Sequence, residues 1–223
     1  SGSAPVADNV VVASVSGEYK EKADLKLTYN LSDANGDPVK PITDWQLNNS
    51  SIAVLNMPFE ASEKYSSAKD YSTSANHGKV FGNPTWLKTG GHDGFGAYQF
   101  NGMSDYIDVP DSPSIDGGNT SMSISLWIKT TDTYGWVLNK RISNMGFSYN
   151  LSPGWGGTSL FWFLDGTDPD YSQYSYASKD VTDGQWHHVV GVLNREENTI
   201  RTYVYGQDTS NPVRSVPNLG SID

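Results

Sequence analysis

Cysteine is absent from this 223-residue chain. No disulfide can staple it, and no thiolate can serve as nucleophile or metal ligand. Long apolar runs are also missing, since none approaches the roughly 20 residues that a membrane-crossing helix needs. Basic residues are outnumbered, 15 Lys and Arg against 25 Asp and Glu, which gives a net charge of −10. Such a surface repels phosphate backbones, so nucleic acid is excluded as a partner and anionic lipid is disfavoured. No helical periodicity runs beyond about two turns.

Glutamate is missing from every alternating apolar segment. Glu18, Glu21, Glu60, Glu63, Glu196 and Glu197 all sit outside such segments. Retaining glycoside hydrolysis needs two carboxylates about 5 Å apart, and no strand here carries a pair. The adjacent His187 and His188 must point to opposite faces of a strand, so they cannot chelate one ion. His188 reads as a histidine lining the core. A hydrolase, a lyase, a zinc enzyme and a Ser/His/Asp triad all lack support, and the chain reads as non-catalytic.

What is present is aromatic and turn-rich: 7 Trp, 13 Tyr, 22 Gly and 11 Pro. Large rings let a core form from fewer residues. At 185–192, Trp186, His188, Val190 and Val192 alternate with the opposite face, after the turn pair Asp183-Gly184. A second alternating run follows at 199–206, so the two read as a β-hairpin. Met122, Ile124, Leu126 and Ile128 give another strand one apolar face. The expected fold class is all-β, an antiparallel β-sandwich with a short N-terminal β-rich appendage.

Two units are expected, 1–50 and 51–223. In the first, 9–15 is β-rich, Leu25 to Tyr29 alternates, 33–37 is a dense turn, and 42–47, centred on Trp45, reads as a third strand. This resembles the opening half of extracellular Ig-like modules. A full sandwich of that kind has about seven strands, so the segment is partial. In the second unit, 52–59 reads as the first strand.

Five blocks of the second unit occur in a telling order. They are the 52–59 run, the loop Asp70-x-Ser72-x-x-x-Asn76-x-Gly78, the stretch Ala97-x-x-Phe-x-Gly-x-x-Asp105-Tyr-Ile-Asp108-Val, Ser125-x-Trp127-Ile-Lys129, and the hairpin at Trp186. Together they resemble the laminin-G-like branch of the concanavalin A-like jelly rolls. The resemblance implies a non-catalytic extracellular recognition module within a larger surface or secreted protein, binding a glycan or a protein partner. It also implies one calcium ion at a loop edge, with Asp70, Asn76, Asp105 and Asp108 as candidate ligands. Calcium takes six to eight oxygens. Asp70 has a second reading, as a turn residue that accepts from its own backbone. Asp33, Asn35 and Asp37 likewise read either as the start of a calcium loop or as an ordinary turn.

Carbohydrate recognition needs exposed rings for sugar C–H faces. The 132–176 region is rich in them, and it supplies the candidate ligand-binding residues Trp155, Tyr171 and Tyr174, with Asp168 and Gln173 as hydrogen-bond partners. The same rings also fit a sandwich core. The family pattern further implies closing strands after the hairpin, the last lying beside 52–59, whereas the sequence stops at Asp223. The expectation is that a partner chain supplies that strand, or that 10–15 folds back to it. The alternative function is a structural spacer or adhesin unit without a small ligand, completed by strand addition.

Overall fold

The alternating segments fold into antiparallel strands in a computed structural model that describes residues 4–18, 24–60, 67–142, 146–153, 158–164, 172–210, 214–215 and 221–222. The first nine strands are β1 (Val6–Ser14), β2 (Leu25–Ser32), β3 (Gln46–Leu47), β4 (Ser50–Ser51), β5 (Ser67–Ala68), β6 (Gly78–Phe81), β7 (Thr85–Leu87), β8 (Ala97–Gln99) and β9 (Tyr106–Asp108). The longer ones follow: β10 (Met122–Lys129), β11 (Leu138–Ile142), β12 (Gly146–Ser152), β13 (Thr158–Leu164), β14 (Ser172–Asp180), β15 (Trp186–Asn194) and β16 (Thr199–Val204). The short β17 (Gln207–Asp208) and β18 (Arg214–Ser215) complete the set. The one helical turn among the described residues is a 3-10 turn at Pro113–Ile115, capped by the Ser112 side chain.

Two sheets make the sandwich. One runs β10-β15-β16-β17, with β18 also on β16, and the other runs β11-β12-β13-β14. Period-2 alternation decides what lies between them. On β15 every second residue is buried, including Val189 and Leu193, and on β16 the buried set includes Ile200 and Val204. Met122, Ile124, Leu126 and Ile128 pack on this core as expected. Leu151 and Tyr149 meet them from β12. The expected hairpin is in place, with Val189 opposite Val204 and Asn194 opposite Thr199. Its turn is set by Asn194, whose Oδ1 accepts from the Glu196 and Glu197 amides.

Ile222 is fully buried in the same core. It is held by reciprocal backbone bonds with Gly118, 2.6 Å and 3.0 Å. Next to that bridge, Tyr149 Oη donates to Ile115 O at 2.8 Å, and Lys140 pairs with Asp111 and Asp116. Burial works against the Lys140 ammonium, but hydrogen bonds to the two carboxylates outweigh it and raise its pKa.

Two expected strands need correction. Residues 52–59 form no strand. Pro58 has no N–H to give a ladder, and Phe59 takes the left-handed conformation at φ 59°. Asn56 N–H instead donates to Asp70 Oδ1, Val54 O accepts from Ser72 Oγ and Asn76 Nδ2, and Phe59 O accepts from Trp86 Nε1. The slot expected beside it therefore has no strand to flank it, and β1 pairs with β2 alone among the described residues. The run 42–47 shrinks to Gln46–Leu47, paired with Ser50–Ser51.

The β3–β4 hairpin straddles the boundary read at residue 50. Ties cross that boundary: Asn56 Nδ2 donates to Thr43 O at 3.0 Å, and Ser51 Oγ donates to Asp44 Oδ2 at 2.7 Å. Ser51 and Thr73 in turn exchange bonds of 2.9 Å and 2.7 Å. Lys40 pairs with Asp93 and lies over the Phe95 ring.

Candidate functional site

The loop at 70–78 is built around one carboxylate. Asp70 is 2% exposed. Its Oδ1 accepts from the amides of Asn56 at 2.8 Å and Ser72 at 2.9 Å. Its Oδ2 accepts from Ser72 Oγ at 2.7 Å and the Asn76 amide at 2.8 Å. The Asp70 amide donates to His77 Nδ1 at 3.1 Å. Asn76 in turn donates to Val54 O and Ser114 Oγ, both at 2.8 Å. Burial pushes the Asp70 pKa up, but the bonds from Ser72, Asn56 and Asn76 outweigh it and leave it below the usual value.

Of the four calcium candidates, Asp70 and Asn76 come together and the others stand apart. Asp105 accepts from the Asn83 amide at 2.9 Å and the Asn101 amide at 3.0 Å. Asp108 lies opposite Lys79 on the β6–β9 pair. No group of three His, Asp or Glu side chains suited to a metal occurs among the described residues. Four N–H and O–H donors occupy the acceptor positions of Asp70, so a cation would have to displace them. These residues as arranged do not fit a calcium site. The 33–37 turn behaves alike, since Asp33 Oδ1 accepts from the amides of Asn35 and Asp37. We expect the same melting temperature in EDTA and in millimolar calcium, read by differential scanning calorimetry. A folded-state ligand at a hundredfold excess over Kd would instead add about 2.7 kcal/mol.

Among the ring candidates, Trp155, Asp168 and Tyr171 lie outside the described residues. Gln173 stands in β14 opposite Phe163, and Tyr174, half-buried, stands opposite Trp162. Tyr149 belongs to the core. Ser148 and Asn150, on the other face of β12, are buried as well, so residues 148–152 offer no open surface. Among the described residues, the exposed rings of the region sit on the connection between β10 and β11. Tyr134 is 64% exposed and Trp136 48%. The Gly184 amide donates to Thr130 O at 3.0 Å and the Val137 amide to Leu151 O at 3.0 Å, so the connection is tied at both ends, and Asp132 Oδ1 accepts from the Tyr134 amide within it at 2.9 Å.

A second aromatic group was not anticipated. It lies on the outer face of the β10–β15–β16 sheet, around Trp127. The His92 ring stacks on Trp127 at 3.7 Å and 12°, His188 lies 5.2 Å away, and Tyr205 5.9 Å. Ser125 Oγ and His188 Nε2 are 2.8 Å apart. Partial burial, then the neighbouring His92, holds His188 below the usual histidine range. The expectation of a core-lining His188 is thus reversed. His187 faces inward, buried and 2.8 Å from Asp183, while His188 is half-exposed on the outside. The alternation of β10 carries the signal, since it sets Ser125 and Trp127 on the face opposite Ile124, Leu126 and Ile128, and the register then places Trp127 opposite His188.

Comparison with known proteins bears on the fold. The family model Laminin_G_3, described as the concanavalin A-like lectin/glucanases superfamily, matches residues 100–220, more than half of the chain. A solved structure of the mouse laminin alpha1 chain, domains LG4-5, is similar at 21% identity and a TM-score of 0.39. The match covers 47% of this chain and 26% of that one, so the chain spans about a quarter of its length. No curated protein matches.

Proposed function

Since the chain belongs to the laminin-G-like family of the concanavalin A-like superfamily, we propose that it is a non-catalytic recognition module of a larger extracellular or cell-surface protein. Its ligand is a glycan or a protein partner. The observation that carries this reading is the pair of outward rings, Tyr134 and Trp136, on a connection tied at both ends. Such rings offer a preset stacking surface. Trp155, Tyr171, Tyr174, Asp168 and Gln173 extend the proposed surface in sequence. No helix among the described residues is long and apolar enough to cross a membrane.

A glycan array probed with the whole chain tests the reading. Saturable binding to at least one glycan is expected. It should fall about tenfold, equivalent to about 1.4 kcal/mol, in Tyr134→Ala/Trp136→Ala or in the triple change Trp155→Ala, Tyr171→Ala, Tyr174→Ala. Glycan binding untouched by both sets would remove 132–176 from consideration.

One observation favours the alternative of a spacer or adhesin unit that docks another polypeptide. The β1–β2 ribbon leaves Val6, Val10, Val11, Val12 and Leu25 about half exposed. A lone two-stranded ribbon is marginal in water, and its edges present unpaired backbone groups to an added strand.

A further inference from the structure

Beside β7 and β8, lined by residues outside 132–176, a polar recess of about 610 Å³ opens between two turns. We infer that it is a binding site for a neutral saccharide ring. Its floor is preset by backbone chemistry. Asp105 spans the two turns, with one oxygen on the Asn83 amide and the other on the Asn101 amide. Asn101 Oδ1 accepts from the amides of Met103, Ser104 and Asp105, and its Nδ2 reaches Ser104 Oγ at 3.0 Å. Gly82, at φ +77°, lets the chain pass so close to Asp105 and Ser104 that a Cβ would overlap both. Little ordering is therefore left to be done on binding.

The groups that face the recess suit a polyol. Each Asp105 oxygen accepts one backbone donor, and a carboxylate has about four acceptor positions, so capacity remains for hydroxyl donors. Asn83, Thr85 and Gln99 line the recess with no side-chain hydrogen bond to other described residues. Thr85 and Gln99 are directly opposed across β7 and β8, which puts them on one face. Amides offer a donor beside an acceptor, the pattern that adjacent ring hydroxyls match. Phe100, 43% exposed and packed at 6.1 Å against Tyr98, supplies a ring for a C–H face. The lining carries one carboxylate and no cation, and the chain's net charge is −10. An anionic sugar is thereby rejected and a neutral one admitted.

The test is amide NMR of the 15N-labelled chain in EDTA, titrated with methyl glucoside, methyl galactoside, methyl mannoside and N-acetylglucosamine. At least one should move the signals of 82–85 and 99–105 and saturate in the millimolar range. Asn83→Ala/Gln99→Ala should weaken that response about tenfold, with the melting temperature unchanged. Asp105 is left intact because the turns depend on it. No movement with any of the four sugars, or an unchanged response in the double variant, overturns the inference. A response that appears only with added calcium assigns the recess to a cation and overturns it too. Signals of 132–142 report the surface proposed above separately, so either reading can fail alone.

Discussion

Asp70→Ala is expected to destabilise the fold by about 3 kcal/mol or more. A hydrogen bond to a charged group contributes roughly 1.5–3 kcal/mol, and this carboxylate accepts four. Their sum overstates the loss, because some freed donors regain water. The whole margin of a domain is about 5–15 kcal/mol, so the effect is large. Urea unfolding with an unchanged m-value measures it. The same carboxylate sets an acid limit. Its folded pKa lies below the ordinary 3.8, so its contribution is fully present above that value and lost as pH falls through the folded one. Asp70→Asn should start from lower stability at neutral pH and show a shallower loss below about pH 4. Equal acid slopes for the two proteins would remove Asp70 from this role.

Ile222→Ala is expected to cost about 2–5 kcal/mol, the range for removing a large aliphatic side chain from a closed core. The side chain is fully buried and the Gly118 bridge fixes its backbone, so the walls have little freedom to collapse. At roughly 2–4 °C per kcal/mol for a chain of this size, the melting temperature should drop by several degrees or more. Ile222→Val should cost about 0.5–1.5 kcal/mol. If Ile222→Ala melted with the parent, Ile222 would have no part in the core.

The sandwich was legible because its signal is local. Alternation in 122–129 and 186–204 marks the strands, and a hairpin needs only a short turn. In 186–194 both faces carry bulky residues, so the alternation left open that His187, Val189 and Leu193, not His188, face inward. The 52–59 run misled for a related reason. Its apolar residues look like strand text, and only the left-handed Phe59 and the donors and acceptors of residues 70–76 decide against a ladder. Side-chain bonds to backbone compete with sheet pairing, and here the competitors come from a distant loop. Asp70 was visible as a special residue, and its reading as a turn residue that accepts from its own backbone matches the Ser72 and Asn76 amides; its reach to Asn56 was not visible. A carboxylate that gathers four donors and one that binds an ion begin with the same letters, and Asn56 stands 14 residues away. The stack of His92 on Trp127 joins residues 35 positions apart with no repeating pattern to announce it. The recess depends likewise on Asp105 reaching Asn83 across 22 positions.

The ties around residues 40–60 also determine how the molecule bears a load. A pull on the N-terminal ribbon would reach the sandwich through the Lys40–Asp93 pair, the Ser51–Thr73 exchange and the bonds gathered by Asp70. Few strong links in series with a packed core behave as a fuse. Under a pull on that ribbon they are expected to part before the β10–β16 sandwich extends, which single-molecule force spectroscopy would read as a short early lengthening step.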